Sequence, residues 1–164
     1  MALNHRIICT NLLTLPDTMN QPAPPVTAAL LQPIPAAGYA GDVSPQLAWQ
    51  WVQAGDAVLV DVRTDAEREW VGYVPGAVAV PWKQWPGMVP NAAFDAQISA
   101  AANGKKVLLL CRSGVRSIAA ARRATELGVQ AYNILEGFEG DPDDQAHRGV
   151  RGGWQVAGLP WRQN

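Results

Sequence analysis

The sequence predicts an α/β fold with a mainly parallel sheet, and three observations carry that prediction. AVLVDV (residues 57–62) and KKVLLLC (105–111) are short, continuous apolar runs. Such runs mark strands covered on both faces. Segments with helical cap signals lie between them, and a single copy of each element alternates strand with helix, which describes one domain with helices on both faces of the sheet.

The elements follow in order. Residues 1–41 read as an N-terminal arm, because QPAPPVTAALLQPIPAAGYAG (21–41) is dense in Pro and Ala and almost uncharged. The folded domain is expected over 42–164. Ser44 and Pro45 form an N-cap and first-turn pair for a helix with Leu47, Ala48, Trp51 and Val52 on its apolar face, stopped by Gly55. AVLVDV is the first buried strand, and a brief acidic helix is expected near Asp65 to Trp70. Pro75 and Gly76 turn the chain into a second strand at Ala77 to Val80, closed by Pro81. Asn91 is the expected cap of a helix running to about Ala102, with Gly104 ending it. KKVLLLC then runs directly into Cys111. A helix over Val115 to Leu127 places Ala120, Ala124 and Leu127 on its apolar stripe and Arg122, Arg123 and Glu126 toward water, with Gly128 past its end. VQAYNIL supplies a further strand, and the Gly- and Trp-rich C-terminal tail predicts a loop and one short helical turn against the domain.

Composition narrows the function. Thirteen basic and fourteen acidic residues give a formal charge of −1, so no global field draws the chain to nucleic acid or to an anionic membrane. No run of about eighteen apolar residues reads as a membrane span. IICTNLLTL near the N-terminus lacks a convincing cleavage site, and Met19 is an alternative start. Two cysteines, Cys9 and Cys111, are too few for a disulfide framework and have no metal-ligand spacing. A reducing, cytoplasmic setting is expected, with no metal and no cofactor.

Chemistry concentrates in LLLCRSGVRS. A cysteine at the carboxyl end of a buried strand, a tight loop and a helix N-terminus together make an anion site, since loop N–H groups and the helix dipole converge there. Arg112 and Arg116 add cations that favour the thiolate. Gly114 gives the loop conformational freedom, and Ser113 and Ser117 offer hydroxyl donors.

CRSGVRS, preceded by VLLL and followed by an Ala-rich helix, resembles the active-site loop of the rhodanese family. VLVDVR followed by an acidic helix and GYVPGAVAVP is similar to another family landmark, with Tyr73 in place of the usual histidine and Glu67 or Glu69 at the acidic position. YNILEGFEG is similar to the family's closing strand and turn. The resemblance spans about Asp42 to Leu159. It implies a three-layer fold with a central, mainly parallel sheet of about five strands. It also implies a thiosulfate-type sulfurtransferase, in which Cys111 takes a sulfane sulfur atom from a small anionic donor such as thiosulfate and passes it to a thiol or cyanide acceptor. Arg112, Ser113, Gly114, Val115, Arg116 and Ser117 would surround the bound anion. Phosphatases and arsenate reductases of related fold have a loop one residue longer than the four between Cys111 and Arg116 here. A non-catalytic binding module is the remaining alternative.

Asp61 and Arg63 are read as structural supports of the site, with Asp61 accepting loop N–H groups and Arg63 pairing with Glu67 or Glu69. Trp82, Trp85, Trp154 and Trp161 are read as core and tail packing, with Trp82 and Trp85 as alternative walls of the site mouth. Cys9 is a candidate resolving cysteine, and His147, amid acids, reads as solvated surface.

Overall fold

The computed structural model describes residues 31–164. Cys9, Met19 and most of the expected arm lie outside them. A six-stranded sheet has the order β1-β2-β8-β7-β3-β4, formed by β1 (Ile34–Ala36), β2 (Tyr39–Val43), β8 (Ala131–Ile134), β7 (Lys106–Leu110), β3 (Ala57–Asp61) and β4 (Val78–Ala79). All neighbours pair parallel except β1, which runs antiparallel to β2. The chain is therefore an α/β fold of the expected kind, with one strand more than expected.

The extra strand corrects the reading of residues 21–41 as an arm. Within that segment Ile34–Ala36 and the start of β2 enter the sheet. Pro35 is tolerated because β1 is an edge strand, where a missing N–H leaves no ladder bond unmade on its outer side. β4 is shorter than the expected Ala77 to Val80, although the Val80 N–H still reaches the Asp61 carbonyl at 3.0 Å. A small second sheet pairs β5 (Lys83–Gln84) with β6 (Val89–Pro90).

Alternation along β7 sets out the layers. Val107 and Leu109 point into a core with Ile98 and Ala102 of α3 (Phe94–Ala102) and Ala120, Ala121 and Ala124 of α4 (Val115–Glu126). Leu108 and Leu110 point the other way, into a core with Leu47 and Ala48 of α1 (Pro45–Ala54) and Trp154 of α5 (Gly153–Val156). Both faces of β7 are thus covered, which is why its sequence is a continuous apolar run.

The caps follow local chemistry. Ser44 Oγ accepts the Leu47 N–H at 3.1 Å, and Gly55 ends α1 at φ 78°. Helix α2 (Asp65–Val71) opens with a reciprocal capping box between Thr64 and Glu67. Asn91 does not cap α3, whose first helical residue is Phe94. Its Oδ1 instead accepts the Ala93 N–H at 3.0 Å while its amide donates to the Pro81 carbonyl and Gln97, a turn that competes with helix. Leu127 is 36% exposed and terminates α4 instead of joining its apolar stripe. Arg123 is half-covered and forks onto Asp95 of α3.

Candidate active site

Cys111 follows β7 immediately and is 1% exposed. Two donors reach its sulfur: the Gly114 N–H at 3.1 Å and the Ser117 hydroxyl at 3.2 Å. Gly114 sits at φ 95°, a left-handed conformation that turns its N–H back toward the strand end and then starts α4. The thiol thus lies at the carboxyl end of a parallel strand and at the N-terminus of a twelve-residue helix, where dipole and N–H groups favour negative charge.

A second turn holds this loop from behind. The Phe138 N–H donates to the Cys111 carbonyl at 2.8 Å and the Glu139 N–H to the Arg112 carbonyl at 3.0 Å. Gly137 precedes them with φ 64°, so close to the loop that a Cβ there would stand 2.5 Å from the Cys111 carbonyl oxygen. The segment is YNILEGFEG, noted in the sequence as a closing motif. Its grip on the cysteine loop is the part the sequence did not disclose.

The two arginines of the loop differ in their surroundings. Arg116 forks onto Glu67, at 2.8 and 2.5 Å, and Glu67 also accepts the N–H and hydroxyl of Thr64. Of the two glutamates it is thus Glu67 that meets the loop, whereas Glu69 is exposed and accepts from Asn164. Arg112 is exposed and has no carboxylate partner among the described residues. The cation least committed to the protein is therefore the one beside Cys111 in the chain.

Glu67 provides a pH test of this clamp. Burial pushes its carboxyl up, but the bonds from Arg116 and Thr64 outweigh burial and hold it at about 2, against an ordinary 4.5. A depressed carboxyl stabilises the fold fully above the unfolded value and loses that contribution as pH falls through the folded one. The stability difference between the native chain and Glu67→Gln is thus expected to be full above about pH 4.5 and largely gone by about pH 2, with a magnitude of about 1–2 kcal/mol once solvent screening of this partly exposed pair is allowed for. Urea unfolding at a series of pH values measures it, and a difference that is flat across this window contradicts the clamp.

Asp61 and Arg63 form a fully buried pair below the site. Arg63 Nη2 lies 2.6 Å from Asp61 Oδ2, and Nε lies 3.0 Å from Oδ1. The same guanidinium donates to the Gly72 carbonyl and stacks 4.0 Å above the Phe138 ring. Asp61 also accepts the Arg63 N–H, as expected of a strand-end Asp. Arg63 does not pair with Glu67 or Glu69, because Glu67 is committed to Thr64 and Arg116. Through Phe138 the pair supports the turn that braces Cys111.

A cavity of about 950 Å³ opens over the thiol. Arg112, Ser113, Val115 and Arg116 line it, together with Trp70, Trp85, Met88 and Arg148. Trp70 and Trp85 are 77% and 67% exposed. Trp85 thus stands at the mouth, whereas Trp82 packs edge-on against Phe94 in the core. Trp70, on α2, was not singled out by sequence. Trp154 is fully buried, and Trp161 packs edge-on against Phe138. His147 is exposed and 4.0 Å from Asp143, and it does not itself line the cavity although its neighbour Arg148 does.

This fold and loop define a class of protein, and comparison with known proteins identifies it. The rhodanese-like domain model matches residues 44–141, and the chain belongs to that family. The crystal structure of Rv0390 from M. tuberculosis matches with a TM-score of 0.71 and 44% identity, covering 77% of this chain and 99% of that one. An uncharacterised protein of Rickettsia conorii is 35% identical over 113 residues, 65% of this chain and 84% of its own. The thiosulfate sulfurtransferase GlpE of Actinobacillus succinogenes is 30% identical over 120 residues, 73% of this chain and 87% of its own. Among the described residues no helix is long and apolar enough to cross a membrane.

Proposed function

We propose that the chain is a sulfurtransferase that carries a sulfane sulfur atom as a persulfide on Cys111, with thiosulfate as the favoured donor and a thiol or cyanide as the acceptor. One observation carries the reading: a cysteine sulfur at the floor of an open cavity accepts the Gly114 N–H and has the Ser117 hydroxyl within donating distance, with Arg112 beside it in the chain. These donors stabilise negative charge on sulfur, the charge of both a thiolate and a persulfide anion. Likeness to a thiosulfate sulfurtransferase supports the same reading.

The reaction balances simply. The Cys111 thiolate attacks the outer sulfur of thiosulfate, an S–S bond forms, and sulfite leaves with the electron pair of the bond that breaks. In the second half the acceptor's thiolate or cyanide carbon attacks the terminal sulfur, and the Cys111 thiolate is regenerated. The cavity far exceeds the size of thiosulfate, and its indole walls suit the organic body of a thiol better than cyanide. Arg112 and Arg116 line the same cavity and, on this reading, meet the anionic oxygens of the donor, Arg116 from within its pair with Glu67.

Intact mass spectrometry after exposure to thiosulfate and removal of the excess tests the proposal. A gain of about 32 Da in the native chain, absent from Cys111→Ser, is the expected result. A folded protein with a free thiol and no adduct rejects thiosulfate as donor and returns weight to a different sulfur donor or to a binding role.

A further inference from the structure

The Ser117 hydroxyl has one proton and three neighbours that can accept it. Its oxygen lies 3.2 Å from Cys111 Sγ, 2.9 Å from the Gly114 carbonyl and 2.6 Å from Asn133 Oδ1. The Gly114 carbonyl also accepts the Ile118 N–H and keeps a second lone pair for Ser117, but the shortest of the three contacts, and the one that leaves two oxygens facing each other when the proton turns away, is with Asn133. All three side chains are buried.

The orientation of Asn133 is fixed from its other side. Its Nδ2 donates to Asp42 Oδ1 at 2.8 Å, and the Tyr39 hydroxyl donates to the same oxygen at 2.8 Å. A carboxylate accepts and does not donate, so the amide nitrogen must face Asp42 and the amide oxygen must face Ser117. That oxygen offers no proton. Whenever Ser117 donates to sulfur, two oxygens 2.6 Å apart meet without a hydrogen between them.

We propose that Asn133 is a positioning residue that holds the Ser117 hydroxyl proton away from sulfur in the resting thiol, so that Ser117 turns to Cys111 only when the sulfur carries negative charge. In the thiol state Ser117 donates to Asn133 and its lone pair faces the cysteine S–H. On ionisation the S–H proton leaves to solvent and the hydroxyl rotates to donate to sulfur. Asn133 thereby restrains ionisation of Cys111. The inference uses the reading of Cys111 as the reacting nucleophile but does not require a sulfur donor.

Other charges bear on the sulfur: Arg116 with its partner Glu67, Asp61 beyond them, Arg112 in the loop, and Asp42 behind Asn133. Asn133→Leu keeps a similar volume, deletes the acceptor and also removes the N–H that Asp42 accepts, leaving Asp42 its bond from Tyr39 and the remaining charges in place. The experiment is alkylation of Cys111 by iodoacetamide across a pH series for the native chain, Asn133→Leu, Ser117→Ala and the double variant. On the acid limb of the rate profile Asn133→Leu is expected to react about fivefold faster than the native chain. In the Ser117→Ala background the same substitution is expected to change nothing. An unchanged or slower rate for Asn133→Leu overturns the proposal, as does an equal gain in the Ser117→Ala background, which would mark simple widening of the site.

A measurement on the unmutated chain guards against a variant that does not fold. The side-chain carbonyl 13C resonance of Asn133 reports the bond its oxygen accepts, and it is expected to move with the same pH midpoint as native alkylation. A resonance that stays fixed through that midpoint overturns the proposal. Both measurements use thiol ionisation alone, so failure of thiosulfate to load Cys111 is a separate result.

Discussion

Asp61→Ala is expected to destabilise the fold by about 3–5 kcal/mol, because it leaves the guanidinium of Arg63 buried with no carboxylate beside it. The Gly72 carbonyl and the Phe138 ring remain as neighbours, but neither carries a compensating charge. A urea midpoint measured at neutral pH reads the loss. The double replacement Asp61→Leu with Arg63→Met is expected to recover most of it, since a buried pair exchanged for apolar side chains of similar volume is close to neutral. A loss under 1 kcal/mol for the single variant would mean that water reaches Arg63.

If Cys111 takes up sulfur as proposed, Gly137→Ala is expected to slow its persulfide loading by about a hundredfold or more while the domain still folds. The added methyl would lie 2.5 Å from the Cys111 carbonyl oxygen and 2.6 Å from backbone atoms of Arg112 and Ser113. None of these is the end of a flexible side chain, so the cysteine loop itself must move. The positive φ adds about 1–2 kcal/mol of backbone strain. Loading followed by mass spectrometry, with circular dichroism as a check on folding, gives the result. Loading at the native rate would show that the loop keeps its shape without this contact.

What the sequence disclosed follows the distance along the chain over which each feature is encoded. Strand, cysteine loop and helix N-terminus are contiguous from Lys106 onward, so LLLCRSGVRS could be read as one unit. The Ser44 cap was equally local. The clamp between Glu67 and Arg116 joins residues 49 apart, and the bond from Asn133 to Asp42 joins residues 91 apart. Nothing in either stretch alone selects the partner. Arg63 shows a different obstacle, since Asp61, Glu67 and Glu69 were all within reach. The choice was made by the capping box, which turns Glu67 toward Thr64 and Arg116. Pro35 misled because the rule that Pro opposes strands has an edge-strand exception, and edge position is a property of the assembled sheet.

The family segment ends at Asp141, yet the turn that braces the cysteine loop is itself fastened by residues beyond that point. The Trp154 N–H donates to the Gly137 carbonyl at 2.8 Å, and the Gly153 N–H donates to Glu136 at 2.8 Å. Trp154 fills the core under the same turn, and the strand-like bridge of Tyr73 with Arg162 fastens the tail to the start of the β4 approach. Residues among the last two dozen thus act as a latch on the turn that braces the Cys111 loop. A piece excised at the family boundary would keep every residue of LLLCRSGVRS and lose these bonds to the turn behind it.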